Sequence, residues 1–269
     1  MANLATMKQK ELFGHPVGLY VLFFTEMWER FSYYGMRAIL VLYLVQSTSD
    51  TNAGLGWTNG EALALYGWYT MLVYVMSIPG GWIADKFLGQ KKSVLYGGIL
   101  LVAGHSILAI EQMWAFYTGL GLIIAGVGML KPNISSMVGQ LYKDDESKKD
   151  SAYTIFYMGV NAGAFLGIML CGYLGETLGW SYGFGLAGIF MFFGMLQFYF
   201  AQKIFGTIGE KPVKDNQEEV KMEFEGDRLN PFTMLDKLMI FVSATIGLIW
   251  IINDPMSNIG GVNILKIGD

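Results

Sequence analysis

Long apolar blocks alternate with short polar connections along most of this chain, as they do in polytopic helical membrane proteins. A helix needs about 20 apolar residues to cross a bilayer. Six blocks reach that length, at about 17–45, 61–84, 92–112, 114–139, 152–174 and 181–204. A seventh block, about 238–252, is short for a full crossing unless 232–236 joins it. The pattern predicts an all-α membrane protein with a six-helix bundle at 1–204, a hydrophilic linker at 205–231, and an extra, incomplete transmembrane segment at 232–269.

Composition supports this class and excludes others. Hydrophobic residues make up 53% of the chain and charged residues only 15%, whereas a soluble domain carries roughly 25% charged residues. The single Cys171 excludes an intramolecular disulfide, and neither His15 nor His105 has a partner at metal-ligand spacing. We therefore expect no metal site and no cofactor.

The positions of the basic residues predict the orientation. Fourteen of the 18 Lys and Arg residues lie in the N-terminal segment or near the connections after the second, fourth and sixth blocks. Connections rich in Lys and Arg stay on the cytoplasmic side. The sequence therefore predicts a cytoplasmic N-terminus and an inner-membrane location.

The first apolar block contains four ionisable residues that a membrane helix normally excludes. At 100° per residue, Glu26, Arg30, Tyr33 and Arg37 share one narrow helix face, and Glu29 lies beside it. A charge at the centre of a membrane helix costs at least ~2.5–3.5 kcal/mol, and such residues usually face a bundle interior or a watery path. This face is therefore a candidate transport site.

Polar residues in three other blocks fall at the same depth. At 1.5 Å per residue from the cytoplasmic end, Glu26, Tyr74, Lys131 and Asn161 all lie roughly 12–15 Å into the membrane. Two acids and several bases at one level form a network whose protonation can switch. A structural role is also open for each: an ion pair within one helix, packing of the tyrosines, or an interhelical hydrogen bond from Asn161.

Four motifs in order resemble the proton-dependent oligopeptide transporter family, a branch of the major facilitator superfamily. They are Glu26-x-x-Glu29-Arg30-Phe31 with Tyr33-Tyr34-Gly35 and Arg37; Gly80-Gly81-Trp82-Ile83-Ala84-Asp85-Lys86 with Gly89 and Lys91-Lys92; Gly128-Met129-Leu130-Lys131-Pro132-Asn133; and Phe156-Tyr157-Met158-Gly159-Val160-Asn161-Ala162-Gly163. The resemblance extends from residue 17 to about 204. It implies the N-terminal half of that fold, built from a three-plus-three inverted repeat, with the seventh block resembling part of the hairpin that bacterial members place between their halves.

The resemblance implies roles for individual residues. The proton-coupling cluster would be Glu26, Glu29, Arg30 and Lys131. The substrate-binding residues would be Arg37, Lys131, Tyr33, Tyr34, Tyr74 and Asn161, with Arg37 and Lys131 holding a peptide carboxylate. The cytoplasmic gate would be Asp85, Lys86, Lys91 and Lys92. A second six-helix half would complete the site.

The expected function is proton-coupled symport of di- and tripeptides by alternating access, rather than an enzymatic reaction. Its partners would be short peptides, protons, the lipid bilayer and the second half, with no nucleic acid. Two alternatives remain open at this point. One is transport of nitrate or another small anion by the same fold, because Arg37 and Lys131 offer positive charge. The other is a membrane scaffold or sensor that does not transport.

Overall fold

A bundle of long helices makes up almost all of the fold. The computed structural model describes residues 11–143, 145–211 and 234–253. In chain order, the elements are β1 (Glu11–Leu12), β2 (His15–Pro16), α1 (Val17–Val45), α2 (Asn59–Val75), α3 (Ser77–Ile83), a π-helical turn (Ala84–Leu88), α4 (Gln90–Leu108), α5 (Met113–Leu141), a 3-10 turn (Glu146–Lys148), α6 (Lys149–Thr177), α7 (Trp180–Ala201), a second 3-10 turn (Gln202–Phe205) and α8 (Met234–Asn253). The second predicted crossing corresponds to α2, α3 and the π-helical turn together, and the seventh to α8.

The connection between the second and third crossings is shorter than expected. The apolar blocks at 61–84 and 92–112 predict a loop between them, but the π-helical turn continues to Leu88 and α4 begins at Gln90. Gly89 alone reverses the chain, with φ +78°, a backbone conformation that glycine adopts without steric strain. The loop prediction is therefore wrong, and Lys91 and Lys92 lie in the first turn of α4.

The next connection is longer than expected, because α4 ends at Leu108 and not near 112. Glu111 in this turn has a positive φ of 56°. Its Oε1 accepts a hydrogen bond from the backbone N–H of Ser181 at 2.5 Å, and another from the Ser181 hydroxyl. A carboxylate at this position neutralises the positive end of the α7 dipole. Glu111 therefore caps a helix that begins 69 residues later in the chain.

Four helical segments in the described part of the chain are long and apolar enough to cross a membrane: 59–88, 113–141, 146–177 and 180–205. Helix α1 has 29 residues, but its internal charges, Glu26, Glu29, Arg30 and Arg37, lower its hydropathy. Helix α4 begins with Gln90, Lys91 and Lys92, which has the same effect. Both helices pack inside the bundle with the other four, because α1 lies against α6 and α7, and α4 lies against α5 and α7.

The contact between α1 and α6 is backbone against backbone. A methyl group added at Gly163 would overlap the carbonyl oxygen of Met27, and one added at Gly167 would overlap that of Phe31. Small residues allow this close approach. Inside a bilayer, where no hydrophobic effect drives helices together, the resulting van der Waals contacts stabilise their association. Helix α1, which carries the charged face, is thus fixed to the α6 backbone through the neighbouring face of Met27 and Phe31.

A short hairpin precedes α1 and packs on the end of α5. Strands β1 and β2 pair antiparallel, and His15 Nδ1 lies 2.7 Å from the hydroxyl of Tyr142, the residue after α5. Burial raises the pKa of Tyr142 to about 12. The hydroxyl is therefore protonated at neutral pH and can donate to His15. This hairpin anchors the start of the first crossing.

Candidate transport site

The charged residues of α1 form a buried cluster inside the bundle. Glu26, Glu29 and Arg30 expose 2%, 0% and 4% of their surface. The Nε atom of Arg30 donates to Glu26 Oε1 at 2.7 Å and lies 3.0 Å from Glu29 Oε2. The structure therefore brings together the three α1 residues of the predicted coupling cluster.

The two carboxylates outnumber the cation that they contact on α1. Among the described residues, Glu26 Oε2 and both oxygens of Glu29 have no hydrogen-bond partner. A buried carboxylate without partners is costly, and protonation removes most of that cost. The cluster is thus built from groups that can take up a proton.

Lys131 reaches this level from α5. Its Nζ lies 4.4 Å from the ring centroid of Tyr74, a cation–π contact between α5 and α2. No acid of the described residues lies within 4.0 Å of the ammonium. Within the described part of the chain, Lys131 is therefore held by an aromatic ring and not by a direct ion pair.

The backbone next to Lys131 is locally irregular. Pro132 has no N–H to donate to the Gly128 carbonyl, one turn earlier in α5. Helix α3 approaches at this carbonyl, since a methyl group added at Gly80 would overlap Gly128 O. The proline and two glycines thus let α3 and α5 meet closely beside the lysine.

Arg37 lies one level higher, among three tyrosines. Its guanidinium carbon is 5.4 Å from the ring centroid of Tyr33, 5.5 Å from that of Tyr34 and 5.0 Å from that of Tyr66. Its Nε donates to the Tyr66 hydroxyl at 2.9 Å, and its Nη2 donates to the same oxygen. Arg37, Tyr33, Tyr34 and Tyr66 together are called the arginine cage below.

Tyr66 was not among the predicted site residues. It lies 18 residues from the predicted cytoplasmic end of the second crossing, and Arg37 lies 20 residues into the first. At 1.5 Å per residue these are depths of roughly 27 and 30 Å. The same depth argument that selected Tyr74 could therefore have found Tyr66.

Two tyrosine hydroxyls are buried at the cage, one on the cage residue Tyr33 and one on Tyr69. Tyr33 and Tyr69 each expose 2% of their surface, and their ring centroids are 6.4 Å apart. Neither hydroxyl has a hydrogen-bond partner among the described residues. Tyr69 is a second residue that the sequence did not single out. These hydroxyls add hydrogen-bonding capacity at the cage, because Tyr69 lies beside the cage residue Tyr33.

Asn161 and Tyr74 differ from the rest in exposure. Asn161 on α6 is exposed, and Tyr74 exposes 54% of its surface. Gly163, two residues after Asn161, lies against the Arg30 side chain, so Asn161 is near the cluster along α6. The structure thus leaves these two side chains open beside a buried cluster, and their predicted role in lining a substrate pocket stays a prediction.

Of the four predicted gate residues, Lys91 makes the interhelical contact. Its Nζ donates to the Gly206 carbonyl and lies 3.3 Å from Glu210 Oε1. Lys86 lies 5.2 Å from the Trp82 ring centroid. Asp85 and Lys92 are exposed, and neither forms an ion pair with the described residues. Lys91 therefore joins the start of α4 to the segment after α7.

Comparison with known proteins identifies the group to which this arrangement belongs. The sequence profile of the POT family matches residues 91–221. The chain is 43% identical over 226 residues to the di-/tripeptide transporter of Lactococcus lactis subsp. cremoris. The aligned region covers 83% of this chain and 45% of that protein. The chain belongs to the POT family.

Two other relatives agree with this assignment. The uncharacterized transporter YclF of Bacillus subtilis is 47% identical over 201 residues, which include 74% of this chain and 40% of that protein. A crystal structure of the peptide transporter POT in complex with sulfate superposes with a TM-score of 0.73 and 41% identity, over 90% of this chain and 48% of that one. The chain thus spans about half the length, or less, of the POT proteins that it matches.

These matches confirm the predicted fold class. The POT chain described here is an all-α polytopic membrane protein whose six-helix bundle corresponds to one half of a major facilitator fold, followed by a seventh helix. The predicted division at 1–204, 205–231 and 232–269 stays a prediction. Phe205 is 1% exposed, and the main chain at Gly209 is bonded to α4, so the start of the predicted linker lies against the bundle. Residues 212–233 and 254–269 of that division are outside the described residues.

Proposed function

We propose that this chain supplies the N-terminal half of a proton-coupled symporter that carries di- and tripeptides across the inner membrane by alternating access. The N-terminus lies in the cytoplasm, and the proton gradient is the energy source, with no cofactor. The names of the relatives support a transported peptide. A C-terminal six-helix half is the partner that completes the site.

The buried cluster of Glu26, Glu29 and Arg30 is the observation that carries this proposal. Two acids face one guanidinium inside the bundle, and three of their four oxygens have no hydrogen-bond partner among the described residues. Such an excess of acid is expensive for a purely structural ion pair. The same excess of acid is what a proton-coupling site requires, because one of the glutamates can take up a proton on one side of the membrane and release it on the other.

In the proposed cycle, a proton on Glu26 or Glu29 neutralises that carboxylate. Its attraction for Arg30 and Lys131 then falls, and the two cations become available to a carboxylate on the substrate. Loss of the proton restores the attraction and draws the cations back. Proton binding thus favours peptide binding, because the glutamate carboxylates and the peptide carboxylate compete for the same two cations.

The arginine cage provides a second anchor in this proposal. Arg37 is fixed by the Tyr66 hydroxyl and by the surrounding rings, and its remaining N–H groups can pair with a peptide carboxylate. Lys131 binds the same carboxylate as a compact charge. Tyr33, Tyr34, Tyr74 and Asn161 contact the peptide around it. The partner half contacts the peptide amino terminus.

Uptake by the full-length protein in proteoliposomes tests the proposal. Labelled dialanine should accumulate only when a proton gradient is imposed, and labelled nitrate should not accumulate. Nitrate uptake without peptide uptake would favour the small-anion alternative. Uptake of neither, by protein that binds dialanine, would favour a sensor.

A further inference from the structure

A cavity lies at the cytoplasmic ends of the membrane helices, away from the candidate transport site. Its volume is about 510 Å³, within the range of cavities that hold small ligands. Its walls come from the end of the π-helical turn, the first turn of α4, the 3-10 turn after α7 and the segment that follows. The residues of this lysine pocket are Leu88, Lys91, Lys92, Gln202, Lys203, Gly206, Gly209, Glu210 and Lys211.

The pocket has an excess of positive charge. Four of its lining residues are lysines and one is an acid, Glu210, which pairs with Lys91 at 3.3 Å. Within the described residues, Lys92, Lys203 and Lys211 have no acid within 4.0 Å. Three cations around one cavity repel one another unless an anion lies between them.

Hydrogen bonds fix the walls of the pocket to one another. The backbone N–H of Lys91 donates to the Gly209 carbonyl at 2.9 Å. The Gly209 N–H donates to Gln140 Oε1 at 3.1 Å, and Gln140 Nε2 donates to Gln90 Oε1 at 2.8 Å. Gly209 has φ +73°, and a methyl group added there would lie 3.2 Å from Lys91 atoms. The segment after α7 is therefore fixed against α4 and α5 by bonds that do not involve the side chains of Lys92, Lys203 and Lys211.

Exposed apolar side chains lie directly next to these lysines, on the membrane side. Tyr96 is one turn after Lys92 on α4 and exposes 45% of its surface. Phe200 and Ile204 flank Lys203 and expose 72% and 41%. The crossings end at Leu88 and Phe205, so the lysines lie where lipid headgroups lie and the aromatic rings lie at the level of the acyl chains.

We infer that the lysine pocket binds a phosphate-bearing anion, and that the headgroup of an anionic phospholipid is the source that its position favours. Basic pockets between membrane helices on the cytoplasmic side suit such headgroups. The phosphate accepts hydrogen bonds from Lys92, Lys203 and Lys211, while the acyl chains lie along Tyr96 and Phe200. The bound lipid then bridges α4 and the segment after α7.

The test compares two triple variants of the full-length protein. Lys92→Gln/Lys203→Gln/Lys211→Gln removes the unpaired cations and leaves the Lys91–Glu210 pair. Lys143→Gln/Lys148→Gln/Lys149→Gln removes the same charge from the α5–α6 connection. Native mass spectrometry counts phosphatidylglycerol retained from nanodiscs of equal phosphatidylglycerol and phosphatidylcholine content. Isothermal titration with inorganic phosphate on the detergent-purified, delipidated protein is the second arm.

The wild type and the control triple should retain phosphatidylglycerol in preference to phosphatidylcholine. The pocket triple should bind phosphatidylglycerol at least tenfold more weakly, since each lysine near an anionic surface contributes roughly fivefold in affinity. A different outcome would show that the lipid assignment is wrong. In that outcome, inorganic phosphate binds the delipidated wild type and not the pocket triple, while the wild type retains both lipids equally. The bound anion would then be a soluble phosphate. Equal lipid retention and equal phosphate binding by all three proteins would overturn the inference.

Discussion

The Nε atom of Arg30 donates to the carboxylate of Glu26, one turn earlier on α1, at 2.7 Å inside the bundle. A pair at this spacing on one helix could serve only to neutralise charge during membrane insertion. Glu29 argues against so limited a role, because its buried oxygens have no hydrogen-bond partner in the described part of the chain. One guanidinium cannot satisfy both acids through a single nitrogen, and the surplus acid is what proton coupling requires.

Replacing Glu29 by glutamine tests the surplus acid. Glu29→Gln keeps the size of the side chain and removes its proton site, so gradient-driven peptide uptake should fall to the level of empty liposomes. Counterflow exchange of peptide should continue, because it needs no net proton movement. Both are measured with the full-length protein in proteoliposomes.

The matched control is Glu61→Gln, at an exposed acid in the capping box of α2, which glutamine preserves. It should transport like the wild type. Gradient-driven uptake by Glu29→Gln at the wild-type rate would show that the cluster is structural.

Lys131→Ala removes the cation that acts on the cluster from α5. The protein should still fold and insert, because an acid that loses its counter-charge stays protonated and neutral. Proton-driven uptake should be lost and peptide affinity by calorimetry should weaken. Lys131→Arg should not restore both, since guanidinium keeps its proton and is planar.

Lys143→Ala, at a lysine in the α5–α6 connection, is the control for charge alone. If Lys131→Ala gave wild-type uptake and affinity, Lys131 would be a packing residue that uses Tyr74 as its only partner.

Tyr66→Phe tests the arginine cage. The change keeps the ring and removes the hydroxyl that accepts from two nitrogens of Arg37. Hydrogen bonds to charged groups contribute about 1.5–3 kcal/mol, and partial exposure of Arg37 reduces this to about 1 kcal/mol, or about fivefold in peptide affinity. Calorimetry should show this loss for Tyr66→Phe and none for Tyr117→Phe, at a half-exposed ring on α5. Unchanged affinity in Tyr66→Phe would mean that the hydroxyl does not position Arg37 for substrate.

Gly163→Ala tests the close contact of α1 and α6. The added methyl group would overlap the Met27 carbonyl oxygen, and overpacking of this kind typically costs about 1–3 kcal/mol. The melting temperature in detergent should fall by about 5 °C. Gly172→Ala on the same helix is the control, because a methyl group there meets no atom of the described residues within 4 Å. It should leave stability unchanged or slightly higher, and similar melting of both variants would contradict the packing argument.

The orientation is tested by labelling with a membrane-impermeant thiol reagent on intact cells. In a Cys171→Ser background, Ser49→Cys in the α1–α2 connection should react and Lys148→Cys should react only after lysis. Both positions are exposed in the structure. Equal labelling of the two on intact cells would refute the cytoplasmic N-terminus.

The sequence predicted α1 and its charged face well. Charged residues at helical spacing within an apolar block can avoid lipid only by facing the interior of the bundle. Lys131 and Tyr74 were also placed at one level by counting residues along two crossings. The contacts of Glu111 with Ser181 could not be predicted, because they join turns that are far apart in the chain. The β1–β2 hairpin was missed as well, since two-residue strands have no periodicity to read. Gly209 and its neighbours were assigned to a linker by their polarity, and only their tertiary hydrogen bonds fix them to α4.

The glycine contact between α1 and α6 restricts how the transport site can move. Carbonyl oxygens of Met27 and Phe31 rest on Gly163 and Gly167 without intervening side chains, so no rotamer change can absorb a shift of one helix along the other. Packed backbones respond as a unit to an applied displacement. The acids on α1 and the exposed Asn161 on α6 therefore keep a constant separation. In the proposed alternating-access cycle, these two helices must therefore rotate together as one rigid unit.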